Sequence, residues 1–536
     1  MTAVPRTGPA YDGADMTEWG SGYVTDLAYG SGFYKEQAPI HLRLVCSIFG
    51  VEAPPIESGF TYCELGCGTG LTSLVLAAAN PESRFVAVDF NPAHISQPRE
   101  TARAGGLTNI EFLECSFVDL VSGRGESLPS FDFVTLHGVY SWVSREVRAA
   151  IVQFIGRFLN PGGVAYVSYN AMPGWSTALP VQRFLLDVAA QGAERSDHKI
   201  KRAIGMLDKL QSLGALAVKD NAFVKSIIKN AEMSQFSYLA HEYLNHSWQP
   251  LYHADVARDL AAAKLAYVGA ADLLTNFHEF MLSPEQREFV ASAESPELRE
   301  TLFDMCIGRQ FRRDVYVKGR RPMNPARREM LLRQSRLVLM SLRSEFVMKM
   351  AMPAGEATLS PETYGPIADA LAERPRSVGE LIDLVAGKTG RVTQASEIVA
   401  TMVGSGRVLP LKDGGATADQ IGADRLNAVL LERVDQLDSN GHIGLAVAAL
   451  GTGVTCGFLQ ALVFKARMLK ARDIVEHATS EAMRIFAARG EKVIKEGQPV
   501  ADEAEALAAV RESVRQITDR ADAVWHKIVP QRQGHS

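Results

Sequence analysis

The 536-residue chain has six cysteines and no CxxC pair among them. Cys46, Cys63, Cys67, Cys115, Cys306 and Cys456 are scattered, so the spacing suggests neither a zinc site nor a disulfide framework. Free thiols in a chain of this size fit a reducing cytoplasm. The N-terminus, MTAVPRTGPAYDGADMTEWG, lacks the apolar run of a secretory leader. Excess charge of one sign is also absent: the net charge is -5 and the pI near 6.2, which argues against whole-protein attraction to nucleic acid. There is no internal repeat and no low-complexity block. One uncharged run, Ile443–Phe464, is about as long as a membrane span. Its glycines and the Gly451-Thr452-Gly453 turn split it into two shorter buried pieces, so no membrane span is expected. What the chain does have is 47% hydrophobic residues, which excludes wholesale disorder and supports about three to four domains' worth of core.

Residues 56–175 alternate short β-rich runs with helical patterns, the signature of a parallel α/β sheet. Candidate strands are Tyr62–Leu65, Arg84–Asp89, Ile110–Leu113, Phe131–Leu136 and Val164–Tyr169, the last fed by a Pro161–Gly163 turn. Residues from about 177 read as helical. Two further β-like runs follow, Lys264–Gly269 and Arg312–Gly319. Beyond Pro322 the pattern is helical, then short helices and the extended run Arg407–Leu411 suggest a winged-helix-like module. The remainder is mainly helical.

The first strand runs into Glu64-Leu65-Gly66-Cys67-Gly68-Thr69-Gly70. A dinucleotide fingerprint would need its third glycine where Leu71 stands. Glycines at alternate positions let backbone approach a ligand closely, and the next helix N-terminus can receive its carboxylate. The second strand ends in Asp89, where a carboxylate can accept both ribose hydroxyls of a nucleoside. The third leads to Ser116 and Phe117. The fourth ends in His137-Gly138-Val139-Tyr140-Ser141-Trp142, and the fifth in Tyr169-Asn170-Ala171-Met172-Pro173-Gly174-Trp175. Ligands of open α/β sheets bind outside the carboxyl ends of the strands, where these aromatic turns lie.

The Glu64–Gly70 loop resembles motif I of class I S-adenosylmethionine-dependent methyltransferases. Further stretches sharpen the likeness: Gly22–Asp26 with Tyr29, Phe33, Tyr34 and Pro39; Tyr238–Asn245 with Trp248-Gln249-Pro250; Phe311–Asp314; HGVYSWVS and SYNAMPGW. Over about residues 20–345 the chain is similar to the methyltransferases that carry a methyltransferase regulatory domain, some of which modify protein lysines on bacterial outer-membrane proteins. The resemblance implies S-adenosylmethionine as cofactor, held by Glu64, Gly66, Gly68, Gly70, Asp89, Ser116, Phe117 and His137. Most members carry an Asp near Ser116 for the adenine amino group. Here phenyl, hydroxyl and backbone contacts are expected instead.

The implied fold is α/β: a seven-stranded Rossmann-like class I methyltransferase sheet with a helical insertion, then a winged-helix-like module and a mainly helical C-terminal region. The expected division is a lid segment over 1–55 and a methyltransferase domain over 56–320. That domain contains the insertion at about 177–245 and the regulatory segment at about 236–320. A helical linker and winged-helix-like module cover 321–411, and the helical C-terminal domain 412–536. The regulatory segment is expected to supply the sixth and seventh strands, the seventh inserting antiparallel between five and six. Catalytic roles are expected for His137, Tyr140 and Tyr169, and acceptor contacts for Tyr29, Tyr34, Trp142, Asn170 and Trp175. The leading acceptor is a protein lysine. The alternatives are a glycan or small metabolite, and a non-catalytic cofactor-binding scaffold. A homodimer is compatible with the chain. His241 and His246 stand five apart rather than four, so no metal site is expected. The basic stretch Arg309–Arg343 reads as a solvated, domain-pairing segment.

Overall fold

The computed structural model describes residues 23–24, 26–27, 32–233, 236–353, 355–412, 420–437, 441–495, 498–525 and 527, with backbone alone at 232 and 233. Two compact units emerge. The larger is built on a sheet of β1 (Thr61–Leu65), β2 (Arg84–Asp89), β3 (Ile110–Glu114), β4 (Phe131–Leu136), β5 (Leu159–Asn170), β6 (Leu265–Ala270) and β7 (Phe311–Lys318). Their order is β3-β2-β1-β4-β5-β7-β6. Strands β1 to β5 are parallel, and β7 is antiparallel to both β5 and β6. The two strands after residue 260 therefore complete the sheet in the expected arrangement. Parallel strands must be covered on both faces, which is why runs such as Phe85–Val88 and Phe133–Leu136 are apolar at nearly every position. Strand β5 begins at Leu159 rather than Val164. It takes in Pro161–Gly163 as an irregularity, with Gly162 at φ 80° and a register shift against β4.

The connections are α1 (Pro39–Ile48), α2 (Leu71–Ala79), α3 (Pro92–Ala104), the short α4 (Phe117–Asp119) and α5 (Arg145–Phe158). The smaller unit holds α6 (Leu179–Ala189), α7 (Ser196–Ser212), α8 (Ala222–Met233) and α9 (Phe236–Tyr243), joined by residues 141–144. The chain returns to the sheet through α10 (His253–Ala261), α11 (His278–Met281), α12 (Pro284–Ala291) and α13 (Pro296–Ile307).

Beyond the sheet come α14 (Pro325–Gln334), β8 (Arg336–Leu339), a hairpin of β9 (Lys349–Met352) and β10 (Gly355–Thr358), α15 (Pro361–Glu373), β11 (Arg376–Ser377), α16 (Val378–Thr389), α17 (Ala395–Gly404) and β12 (Val408–Leu411). Strands β11, β8 and β12 form a small antiparallel sheet. Its apolar residues, with those of α15 to α17, join one core with α1 and one face of the large sheet. The last segment holds α18 (Ile421–Glu432), β13 (His442–Val447), β14 (Thr452–Gly457), α19 (Phe458–Met468), α20 (Ile474–Arg489) and α21 (Glu503–Trp525). The uncharged run Ile443–Phe464 is thus a hairpin turning at Gly451, followed by the start of α19. Among the described residues no helix is long and apolar enough to cross a membrane. The β13–β14 hairpin and α18 pack on α2 and α3, so the C-terminal segment shares a core with the glycine loop's own helix.

Candidate functional site

Strand alternation decides which side chains can meet at the carboxyl edge of the sheet. Glu64, Asp89, His137, Tyr166, Ser168, Phe311 and Arg313 fall on one face by the strand registers. Tyr169, Arg312 and Asp314 fall on the other.

In the glycine loop, Gly66, Gly68 and Gly70 all have positive φ. They differ in surroundings. A Cβ on Gly70 would sit 2.6 Å from Phe112 and 2.9 Å from Pro98, and one on Gly66 would overlap Val139. A Cβ on Gly68 would meet nothing within 4 Å. Gly66 and Gly70 are therefore required by packing, while Gly68 borders open space, which is what close backbone approach to a ligand requires. Gly68 N–H donates to Asp89 Oδ2 at 2.9 Å, tying the loop to the end of β2. Asp89 Oδ1 accepts from Asn91 N–H at 2.9 Å and lies 3.2 Å from His94 Nδ1. Lone-pair capacity remains on Oδ2 for an incoming hydroxyl.

Glu64 is buried, with 4% of its surface exposed. It accepts from the Ser73 hydroxyl at 2.5 Å and from Gln37 Nε2 at 3.1 Å. Burial pushes its carboxyl up to about 7, against the pull of those two donors. Ser116 caps α4, accepting from Asp119 N–H at 3.1 Å, and Phe117 beside it is buried.

At the end of β4, His137 lies under the Tyr34 ring, with centroids 3.7 Å apart. His137 Nδ1 is 2.8 Å from the Tyr166 hydroxyl, and Tyr166 is in turn hydrogen-bonded to Ser168. Ser168 Oγ accepts from Gly138 N–H at 2.8 Å. Burial, and then the nearby Arg313 guanidinium, push the imidazole down to about 3, so it is neutral at physiological pH. Phe311 stands edge-on at 5.7 Å, and Arg313 stacks over Phe311 while bonding Asp272 at 2.8 and 2.9 Å.

The other face is a closed polar network. Tyr169 is fully buried and donates to Asp314 Oδ2 at 2.7 Å, with His253 3.0 Å from the same oxygen. Arg312, also fully buried, pairs with Asp314, Asp304 and Glu300. The reading of Arg309–Arg343 as solvated fails at Arg312, because β7 inserts inside the sheet. Tyr140 is buried and donates to Asp259 Oδ2 at 3.3 Å. The hydroxyls of Tyr140 and Tyr169, expected to be catalytic, are thus closed in the core and spent on carboxylates, where they support the fold. Asn170 is buried, and its carbonyl accepts from Leu251 N–H.

Trp142 and Trp175 belong to the smaller unit. There they converge on Trp248, with centroids at 6.2 and 5.3 Å, and Trp175 also meets Phe223 at 5.5 Å. Tyr29 lies outside the described residues. Sequence reasoning missed Gln37, Ser73, Tyr166, Ser168, Asp272 and Arg313. Only Tyr166 and Ser168 carried a signal, as they alternate with Tyr169 on a strand whose facing was not yet known.

A parallel sheet with one antiparallel insertion, a glycine loop open at one glycine and an acidic residue ending β2 together define a nucleoside-cofactor transferase fold. Residues 56–181 match the family described as methyltransferase domain, and residues 235–318 match the predicted methyltransferase regulatory domain. An uncharacterized protein of Synechocystis sp. is 31% identical over 490 residues, covering 91% of this chain and 95% of that protein. One of Rickettsia prowazekii is 27% identical over 299 residues, or 55% of this chain and 53% of its own length. The structure of PKMT2 from Rickettsia typhi in complex with AdoHcy aligns with a TM-score of 0.66 at 18% identity, covering 93% of this chain and 99% of that one. At that identity the likeness speaks for the fold. The chain belongs to the S-adenosylmethionine-dependent methyltransferases that carry the regulatory domain.

Proposed function

We propose that this enzyme methylates the side-chain amine of a protein lysine, in the cytoplasm. The carrying observation is the open end of the sheet, where Tyr34 stacks on a neutral His137. Phe311 stands in the same neighbourhood, beside Glu36 and Asp272, which are paired with Lys35 and Arg313. Aromatic faces suit an amine and its methylated products, each aromatic contact contributing about 0.5–2 kcal/mol.

The cofactor, when bound, supplies a methyl group activated by its sulfonium. Gly68 gives room for it. Glu64 receives its ammonium, Asp89 its ribose hydroxyls, and Ser116 with Phe117 its adenine. Burial of the incoming amine lowers its pKa from about 10.4, so that it loses its proton before attack. In this reading His137 Nδ1–H donates to the Tyr166 hydroxyl, whose own O–H donates to Ser168 Oγ. That leaves Nε2 to accept an N–H of the neutral amine, so the nitrogen lone pair faces the methyl group. Positioning and water exclusion supply most of the acceleration.

The test is methyl transfer from labelled S-adenosylmethionine into whole-cell lysate, followed by hydrolysis. Label recovered as methyl-lysine supports the reading. Label confined to glycans or small molecules replaces the acceptor. No incorporation, with S-adenosylhomocysteine still bound, points to a cofactor-binding scaffold.

A further inference from the structure

The segment Gly32–Gln37 crosses the mouth of the cofactor loop, and four contacts fix it there. Tyr34 N–H donates to Thr72 Oγ1 at 3.2 Å, in the first turn of α2. The Tyr34 ring lies on His137, and Gln37 Nε2 reaches Glu64. The fourth contact comes from the far end of the chain. A side chain at Gly444 would begin 2.6 Å from Phe33 Cβ and Cγ, while one at Gly453 would overlap Val75 and lie 2.8 Å from the Leu445 carbonyl and 3.0 Å from Phe33 Cζ. In the hairpin register Gly444 faces Thr455 and Gly453 faces Ala446, so the two glycines are diagonal neighbours on one face. Together they make a notch, and the Phe33 ring fills it. Next to this ring, Lys35 lines a cavity of about 250 Å³ with Gly453, Val454 and Thr455. Packing at Lys35 therefore adds little to holding the segment, and on the hairpin side the seat of Phe33 is the contact that does.

We propose that the β13–β14 hairpin of the C-terminal segment is a positioning element of the methyl-transfer site: Phe33, seated between Gly444 and Gly453, sets the Gly32–Gln37 strap so that Tyr34 covers His137 and Gln37 holds Glu64. Phe33, Gly444 and Gly453 touch no reacting atom and act through Tyr34 and Gln37. This rests on the cofactor assignment above and is independent of the acceptor's identity. It explains why a glycine without positive φ stands at 444 in a strand, where glycine weakens pairing; Gly453 also answers to Val75 and the Leu445 carbonyl.

The full-length protein and its variants are titrated with S-adenosylhomocysteine by calorimetry. Phe33→Ala and Tyr34→Ala should each weaken binding roughly tenfold, and the double variant should fall short of the product of the two, since Phe33 acts partly through Tyr34 and partly through Gln37. Gly444→Ala should weaken binding like Phe33→Ala. Phe33→Leu keeps the Cβ and Cγ seated at Gly444 and loses only the ring end that reaches Gly453, so it should bind more tightly than Phe33→Ala. Melting temperatures measured on the same variants separate positioning from damage to the fold. Wild-type affinity in Phe33→Ala, multiplying effects in the double variant, or no recovery in Phe33→Leu would overturn the proposal. Asp89→Ala runs alongside: if it binds as well as wild type, the cofactor assignment has failed rather than the positioning role.

Discussion

Replacing Glu64 by Gln tests the electrostatics of the cofactor site. The carboxyl is buried under Gln37 and Ser73, and burial pushes it from 4.5 up to about 7. The fold thus favours the protonated form. Below the ordinary carboxylate range this group costs nothing. As pH rises from about 4.5 through 7 the folded state loses about 3 kcal/mol relative to a permanently neutral side chain, at 1.36 kcal/mol per unit. Gln is such a side chain: its carbonyl can accept from Gln37 and its amide can bond Ser73. At pH 8 Glu64→Gln should therefore be the more stable protein, while at pH 4.5 the two should match. Cofactor binding should run the opposite way, because the ammonium of S-adenosylhomocysteine needs the ionised carboxylate. Wild-type affinity should rise with pH and level off above 7, with binding at pH 5.5 roughly 30-fold weaker than the plateau. At pH 6.5 binding should release roughly three quarters of a proton, read as a dependence of calorimetric enthalpy on the buffer's ionisation heat. Glu64→Gln should bind weakly at every pH and release none of that proton. An enthalpy independent of buffer in the wild type, with unchanged affinity in Glu64→Gln, would refute the reasoning.

Asp89→Ala should weaken S-adenosylhomocysteine binding by roughly 1.5–3 kcal/mol, the range for hydrogen bonds to a charged group, as read by calorimetry. Gly68→Val should abolish that binding by filling the open space, with some loss of stability because a β-branched residue resists φ 52°. Gly70→Ala should lower stability as well, since its methyl also meets Phe112 and Pro98 at a backbone with φ 71°. Arg312→Leu leaves the buried Asp314 without its guanidinium and Asp304 with Arg309 alone, and should cost on the order of 3–5 kcal/mol in denaturant unfolding. Tyr169→Phe removes a donor to Asp314, so it should lower stability by about 1–3 kcal/mol while leaving cofactor affinity and the pH dependence of turnover unchanged.

The sequence by itself determined the sheet and the cofactor loop. Parallel strands are short apolar runs between helices, and glycine spacing with a following acid is a local pattern read within thirty residues. Even β6 and β7 were legible, because a seven-stranded sheet needed two more β-like runs and Lys264–Gly269 and Arg312–Gly319 were the next along the chain. The facing of β5 was not. Tyr169 sits one residue from Ser168, and alternation puts one into the closed core and the other beside His137. Which side opens to the site depends on α1, α10 and α13, whose docking no local pattern encodes. Burial of Arg312 escaped because a charged residue reads as solvated until Asp314 of its own strand and Glu300 and Asp304 of α13 are seen folded around it. Tertiary structure alone also brought Gln37 to Glu64 and Phe33 to Gly444. Those contacts join residues tens to hundreds of positions apart, and such pairings are selected by the global packing of the core rather than by the propensities of either segment.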